Sequence, residues 1–142
     1  MKRQTPPVLS VVVPLYNEAA SLPRLHASLR PVLAKLKLPY ELIFVDDGST
    51  DASARVLKDL RRTDPALHVL RLSRNFGKEV AVTAGIHRAV GQAIIMLDAD
   101  GQHPVESIPD FVAQWQRGAK VVVGRRTNRQ TSLVKRFGSR LF

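Results

Sequence analysis

Five short, largely apolar stretches alternate along this chain with segments of helical spacing, and that alternation constrains the fold more than anything else. The strand-like stretches lie at 8–13, 41–45, 67–72, 93–97 and 120–123, and helices are expected over 21–36, 52–62, 78–90 and 105–117. Within 21–36, Leu22, Leu25, Leu29, Val32, Leu33 and Leu36 fall largely on one face. Ser21 stands where a helix start takes a capping hydroxyl, and Pro23 is tolerated in a first turn. Pro14 is expected to stop the first strand. The strands read as continuous apolar runs, so both faces of the sheet must be covered. The expected architecture is α/β, a mainly parallel Rossmann-like sheet flanked by helices on both faces. Residues 1–7, ending in Pro6-Pro7, read as a loose leader.

Sheets of this kind bind ligands outside the carboxyl ends of their strands. The polar chemistry collects at those ends: Tyr16-Asn17-Glu18, Asp46-Asp47-Gly48-Ser49, Ser73-Arg74-Asn75, Asp98-Ala99-Asp100 and Gly124-Arg125-Arg126. Five strand ends so furnished point to one continuous site.

Asp98 and Asp100 follow the apolar run Ile94-Ile95-Met96-Leu97, and a carboxylate is not buried in a strand without a partner. Alternate residues of an extended backbone face one side. The two can therefore converge on a hard divalent cation, with the Gln102 amide oxygen as third ligand, and the cation can hold a diphosphate. The competing reading is a turn or a helix cap. His103, before Pro104, is either a fourth ligand or a surface-turn histidine. Asp46, emerging from Phe44-Val45, can accept hydrogen bonds from a base N–H or a ribose hydroxyl. Alternatively, 46–51 is a turn that caps the next helix. Pro14-Leu15-Tyr16-Asn17-Glu18 offers an aromatic face for a base and a carboxylate for a ribose, or is a solvent-facing turn. Lys78 stands at a helix start, where an anion such as phosphate is favoured. His26, His68 and His87 receive no role, and Phe111 with Trp115 reads as core packing.

A length of 142 residues suits one domain. Its 24% charged and 44% hydrophobic residues are ordinary globular usage. The lack of cysteine excludes disulfides, thiolate metal sites and a cysteine nucleophile, and fits a cytoplasmic location. No apolar run reaches the length of a membrane span, and no apolar signal core follows Met1-Lys2-Arg3. The formal net charge is +10, and it is unevenly spread. No acidic residue follows Asp110, whereas Arg117, Lys120, Arg125, Arg126, Arg129, Lys135, Arg136 and Arg140 do. Such a block suits nucleic acid, anionic lipid or a phosphorylated substrate, or is a solvated basic face.

Taken together, Val11-Val12-Val13-Pro14-Leu15-Tyr16-Asn17-Glu18, Val45-Asp46-Asp47-Gly48-Ser49-Thr50-Asp51 and Asp98-Ala99-Asp100-Gly101-Gln102-His103-Pro104 resemble the family 2 glycosyltransferases of GT-A fold. Leu72-Ser73-Arg74-Asn75-Phe76-Gly77-Lys78-Glu79 and Val123-Gly124-Arg125-Arg126 are similar to one branch of that family. It contains dolichol-phosphate mannose synthase and the bacterial polyprenyl-phosphate glucosyl and aminoarabinosyl transferases. The resemblance covers nearly the whole chain. It implies metal-dependent, inverting transfer of a sugar from a UDP- or GDP-type nucleoside-diphosphate sugar to a polyprenyl phosphate. By the same resemblance Pro14, Tyr16, Glu18 and Asp46 contact the nucleoside, and Asp47, Lys78, Asp98 and Ala99 complete the nucleotide-sugar site. Asp98, Asp100 and Gln102 hold Mg2+ or Mn2+ against the diphosphate. Asp100, Arg125 and Arg126 form the catalytic set, one of the two arginines meeting the acceptor phosphate. Gly101 stands where this branch often has Leu. Family catalytic domains continue past the point matching Phe142. The chain is therefore expected to carry the nucleotide-sugar-binding part, with the acceptor and membrane-proximal part absent.

A hydroxyl acceptor needs a general base within reach, and no Asp or Glu follows Asp110. A lipid phosphate, with a second pKa near roughly 6, is already largely ionised at neutral pH and needs positioning by arginine instead. The acid-free tail thus favours a phosphate acceptor independently of the resemblance. Arg125, Arg126, Arg129 and Lys135 are expected to face that acceptor and the anionic inner face of the membrane, where the chain would be peripheral. Three rival classes remain. A haloacid dehalogenase-type phosphohydrolase also uses Asp-x-Asp, but it wants Thr or Val where Gln102 stands. A basic nucleic-acid-binding domain would use the net charge, though few aromatics accompany it. The third is a nucleotide-binding fragment without turnover.

Overall fold

The computed structural model describes residues 6–102 and 104–124. Strands β1 (Leu9–Leu15), β2 (Tyr40–Asp46), β3 (Leu67–Arg71) and β4 (Ala93–Met96) form one all-parallel sheet in the order β3-β2-β1-β4. Between them run α1 (Leu22–Lys35), α2 (Ser53–Thr63) and α3 (Lys78–Arg88), and a 3-10 turn at Val105–Ser107 leads into α4 (Ile108–Gln116). No helix among the described residues is long and apolar enough to cross a membrane.

Side-chain alternation along the strands decides which face each residue serves. Val11, Val13, Leu42 and Phe44 enter the larger core, against Leu25, Leu29 and Leu33 of α1, Leu57 of α2, and Ile108 and Val112 of α4. Val12, Ile43 and Val45 point the other way, onto Ala81 of α3. Helix α3 approaches closely because Gly85 lacks a side chain: a methyl there would stand 2.4 Å from Val12 Cγ1. Each fully buried aliphatic or Phe side chain contributes about 1.5–3 kcal/mol, so β1 and β2, buried on both faces, anchor the domain. For these two central strands the expected cover on both faces is present.

The chain moves outward from β1 through β2 to β3, then returns to place β4 on the other side of β1. The carboxyl ends of β1 and β4 therefore flank a topological switch point, where open α/β sheets leave a crevice. Pro14 sharpens it. Contrary to expectation it does not stop β1, which continues to Leu15 in register with Asp46. The Leu15 carbonyl accepts from the Asp47 N–H on the β2 side, and the Val12 carbonyl from the Leu97 N–H on the β4 side. Two residues past Val12, Pro14 thus turns its donor-less nitrogen toward β4, where the ladder has ended at Met96.

Three other expectations give way. The strand at 120–123 is not formed: Val121 and Val123 are 81% and 76% exposed, and no ladder reaches them. Apolar residues make a strand only beside a partner, and β4 pairs only with β1 among the described residues. Strand β4 itself is not covered on both faces, since Ile94 and Met96 lie exposed at the sheet edge. The helix expected from residue 105 begins as a 3-10 turn. Pro109 has no N–H for the Val105 carbonyl, which accepts from Ile108 instead.

Candidate active site

The loop after β1 is built by hydrogen bonds to the loop after β2. Asn17 adopts a left-handed conformation, φ 54°. Its amide oxygen accepts from the Thr50 and Asp51 N–H groups at 2.8 and 3.2 Å, while its own N–H donates to Ser49 Oγ at 2.9 Å. The Glu18 N–H donates to Ser53 Oγ at 2.9 Å, and the Ala19 N–H to Asp51 Oδ2 at 3.2 Å. These bonds fix residues 16–19, so that Tyr16 and Glu18 line a cleft. Ser21 occupies the start of α1 without capping it. Its hydroxyl donates instead to Glu18 Oε2 at 2.6 Å, orienting that carboxylate.

Among the described residues, Asp51 is the carboxylate whose surroundings clearly favour its charged form. Hydrogen bonding from the Ser53 side chain, reinforced by backbone N–H groups of Ser53 and Ala19, holds its carboxyl below the ordinary 3.8. A depressed folded-state value stabilises the loop fully above 3.8, and this stabilisation is lost as pH falls through the lowered value. Removing the largest cause with Ser53→Ala should move the Asp51 titration upward, as followed by carboxyl-carbon NMR.

The cleft has a volume of about 300 Å³ and lies at the switch point. Pro14 and Leu15 of β1 and Tyr16 and Glu18 of the loop after it line one side, and Asp98, Ala99 and Asp100 line it from the segment after β4; Asp47, Asn75, Gly77, Lys78 and Ala81 close the α3 side. Ala99 is only 4% exposed and packs with the larger core, which leaves the flanking Asp98 and Asp100 carboxylates at the cleft. A second cavity of about 340 Å³, between α1 and the 3-10 turn, shares Asp100.

The two adjacent carboxylates after β2 behave differently. Asp46 is fully buried and does not line the cleft. Its Oδ1 accepts from the Ser49 N–H at 2.8 Å, and its Oδ2 lies 3.4 Å from Arg71 Nε. It braces the 46–49 turn from beneath. Asp47 reaches the cleft wall, yet both its oxygens already accept backbone N–H groups, from Phe76 at 2.8 Å and Gly77 at 2.9 Å. It fixes the start of α3, from which Lys78 extends to place Nζ 2.5 Å from Asp98 Oδ1. Asp100 Oδ1 accepts the Gln102 N–H at 2.9 Å, and Gln102 does not line the cleft. Arg125, Arg126 and His103 lie outside the described residues. His26 is a core group, its Nε2 2.8 Å from Asp64 Oδ2.

Among the described residues no three acidic or histidine side chains gather into a protein-only metal site. The two carboxylates at the cleft nevertheless fit a cation such as Mg2+, which is commonly held by one or two carboxylates while water and substrate phosphates fill the other positions. The sequence placed Asn75 and Asn17 in strand-end clusters but assigned neither a role, whereas Asn75 lines the cleft wall and Asn17 organises the loops. Their partners are distant in sequence.

The family model described as Glycosyl transferase family 2 matches residues 10–141. The chain belongs to this family. It is 44% identical over 135 residues to an uncharacterized glycosyltransferase of Synechocystis sp.. It is 43% identical over 134 residues to the undecaprenyl-phosphate 4-deoxy-4-formamido-L-arabinose transferase of Pectobacterium atrosepticum, and 39% over 123 to a prophage bactoprenol glucosyl transferase homolog of Escherichia coli. These matches take 94%, 93% and 87% of this chain but 42%, 41% and 40% of the relatives. The chain thus spans about two-fifths of the length of the curated relatives it matches. Among solved structures, the mannosyltransferase PcManGT from Pyrobaculum calidifontis, in complex with GDP-Man and Mn2+, superposes with a TM-score of 0.65 at 24% identity, over 85% of this chain and 36% of that one. TarS from S. aureus in complex with UDP gives 0.61 at 27%, over 84% and 37%. The fold is of the GT-A type expected.

Proposed function

We propose that this chain is the donor-binding part of a transferase that moves a sugar from a UDP- or GDP-type nucleoside diphosphate to a polyprenyl phosphate, dependent on Mg2+ or Mn2+. The observation that carries this reading is the switch-point cleft, in which Tyr16, Glu18, Lys78, Asp98 and Asp100 share one cavity. The names of two relatives, a bactoprenol glucosyl transferase homolog and an undecaprenyl-phosphate arabinose transferase, support the acceptor class. The GDP-Man and Mn2+ complex of a structural neighbour supports the donor and the metal.

In this reading Tyr16, 42% exposed, offers its ring to the base, beside Pro14. Glu18, oriented by Ser21, offers its second oxygen to the ribose hydroxyls. Asp98 and Asp100 hold the cation, which when bound supplies charge stabilisation to the departing diphosphate. Lys78 stands beside that diphosphate, while Asp46 and Asp47 act through the loops they brace. An oxygen of the acceptor phosphate bonds to the anomeric carbon from the opposite side as the carbon–oxygen bond to the diphosphate breaks, inverting the centre. One of Arg125 and Arg126 meets the acceptor phosphate, and Arg129 and Lys135 the anionic inner face of a membrane, where the chain works from the cytoplasm.

Calorimetry with UDP and GDP, with and without Mn2+, tests the donor site. One nucleotide should bind, with affinity at least about tenfold weaker when Mn2+ is omitted, a difference of about 1.4 kcal/mol. Absence of binding by both nucleotides in the presence of Mn2+ overturns the reading.

A further inference from the structure

The cleft holds a cation of its own. Lys78 Nζ sits 2.5 Å from Asp98 Oδ1, and its origin is fixed because the buried Asp47 carboxylate ties down the Phe76 and Gly77 N–H groups just before α3. Held this way, the ammonium is paired with the Asp98 carboxylate. Asp98, Asp100 and Lys78 together carry one negative charge, and the Glu18 and Asp47 carboxylates line the same cleft. With its ammonium on Asp98, this lining opposes a diphosphate. If a divalent cation takes both carboxylates, they are neutralised and the ammonium is released with a positive charge to share with the diphosphate.

We propose that Lys78 is an internal stand-in for the divalent cation: it occupies Asp98 in the nucleotide-free protein and passes to the donor's diphosphate when the cation arrives. This rests on the donor-site reading above and adds a consequence to it. Cation and nucleotide each release the group that the other needs, so their binding is positively coupled through Lys78 beyond their direct attraction, and the coupling is reciprocal. The exchange is easy because the pair is only partly buried, the lysine side chain being 63% and the aspartate 30% exposed. Ion pairs of that exposure contribute little net stability. Lys78 is in this sense a positioning residue for the metal, acting through Asp98.

The test is Mn2+ titration of the 142-residue chain, read from the electron paramagnetic resonance of free Mn2+, alone and with saturating UDP or GDP. Wild type is compared with Lys78→Met and Lys78→Arg. Lys78→Met should bind Mn2+ alone about fivefold more tightly, the scale of a part-exposed ion pair. The factor by which nucleotide strengthens its Mn2+ binding should shrink. Lys78→Arg, which keeps the charge, should resemble wild type. Unchanged Mn2+ affinity and unchanged coupling in Lys78→Met, with coupled binding intact in wild type, overturn the stand-in role alone. Absence of Mn2+ binding in all three proteins, with and without nucleotide, overturns the donor-site reading and this inference together.

Discussion

Asp100→Asn should abolish Mn2+-dependent nucleotide binding while leaving the unfolding transition where it is. The asparagine keeps an oxygen in the position that accepts the Gln102 N–H at 2.9 Å, so the turn after β4 retains its closing bond. The side chain is exposed and lines the cleft without entering either hydrophobic core, so no packing is lost. What disappears is a full negative charge beside the cation. At an effective dielectric near 20, two unit charges about 4 Å apart interact by about 4 kcal/mol. Forfeiting even most of that lowers affinity by about 100-fold, or about 2.8 kcal/mol. Calorimetry with Mn2+ and the preferred nucleotide, paired with a guanidinium melt, reads both halves of the expectation. Wild-type Mn2+ dependence in this variant removes Asp100 from the metal site.

The parts of this fold that could be read from sequence are those set by neighbours along the chain. Leu22, Leu25, Leu29 and Leu33 announce a helix because one face must be apolar, and all four are buried. Val11, Val12 and Val13 announce a strand covered on both sides, and they divide between two cores on opposite faces. Val121 and Val123 carry the same local signal and form no strand, because pairing is a property of the sheet and not of the segment. Asp46 and Asp47 show the same limit at the site. Adjacent residues of an extended backbone point to opposite sides. One carboxylate therefore goes under its own turn to Ser49 and Arg71, the other across to Phe76 and Gly77. Which aspartate does which depends on the distant segments that the sheet brings alongside. The Lys78–Asp98 contact was hidden for the same reason, since it exists only because β4 turns back beside β1.

Gly48→Ala should destabilise the domain by about 2–4 kcal/mol, within the range reserved for named defects of packing and backbone strain. Gly48 has φ +71°, a left-handed conformation that an L side chain adopts only at some cost. A methyl there would lie 2.4 Å from the Arg74 carbonyl carbon, 2.7 Å from its Cα and 2.7 Å from the Asn75 nitrogen. These are backbone atoms, so no side chain can rotate out of the way. Either the turn after Asp46 or the segment leading into α3 must move. Domains of this size have a total stability of about 5–15 kcal/mol, so the shift in guanidinium midpoint should be large. Gly101→Ala is the internal control. Its φ is also left-handed, at +72°, but among the described residues nothing lies within 4 Å of the added methyl. It should lose only the conformational share, about 1–2 kcal/mol. The difference between the two variants isolates the clash. Because Asn75, Gly77 and Lys78 follow the displaced segment and line the cleft, Gly48→Ala should also weaken Mn2+-dependent nucleotide binding in the molecules that remain folded. Equal midpoints for the two alanine variants would mean that the turns after β2 and β3 are not in the contact described.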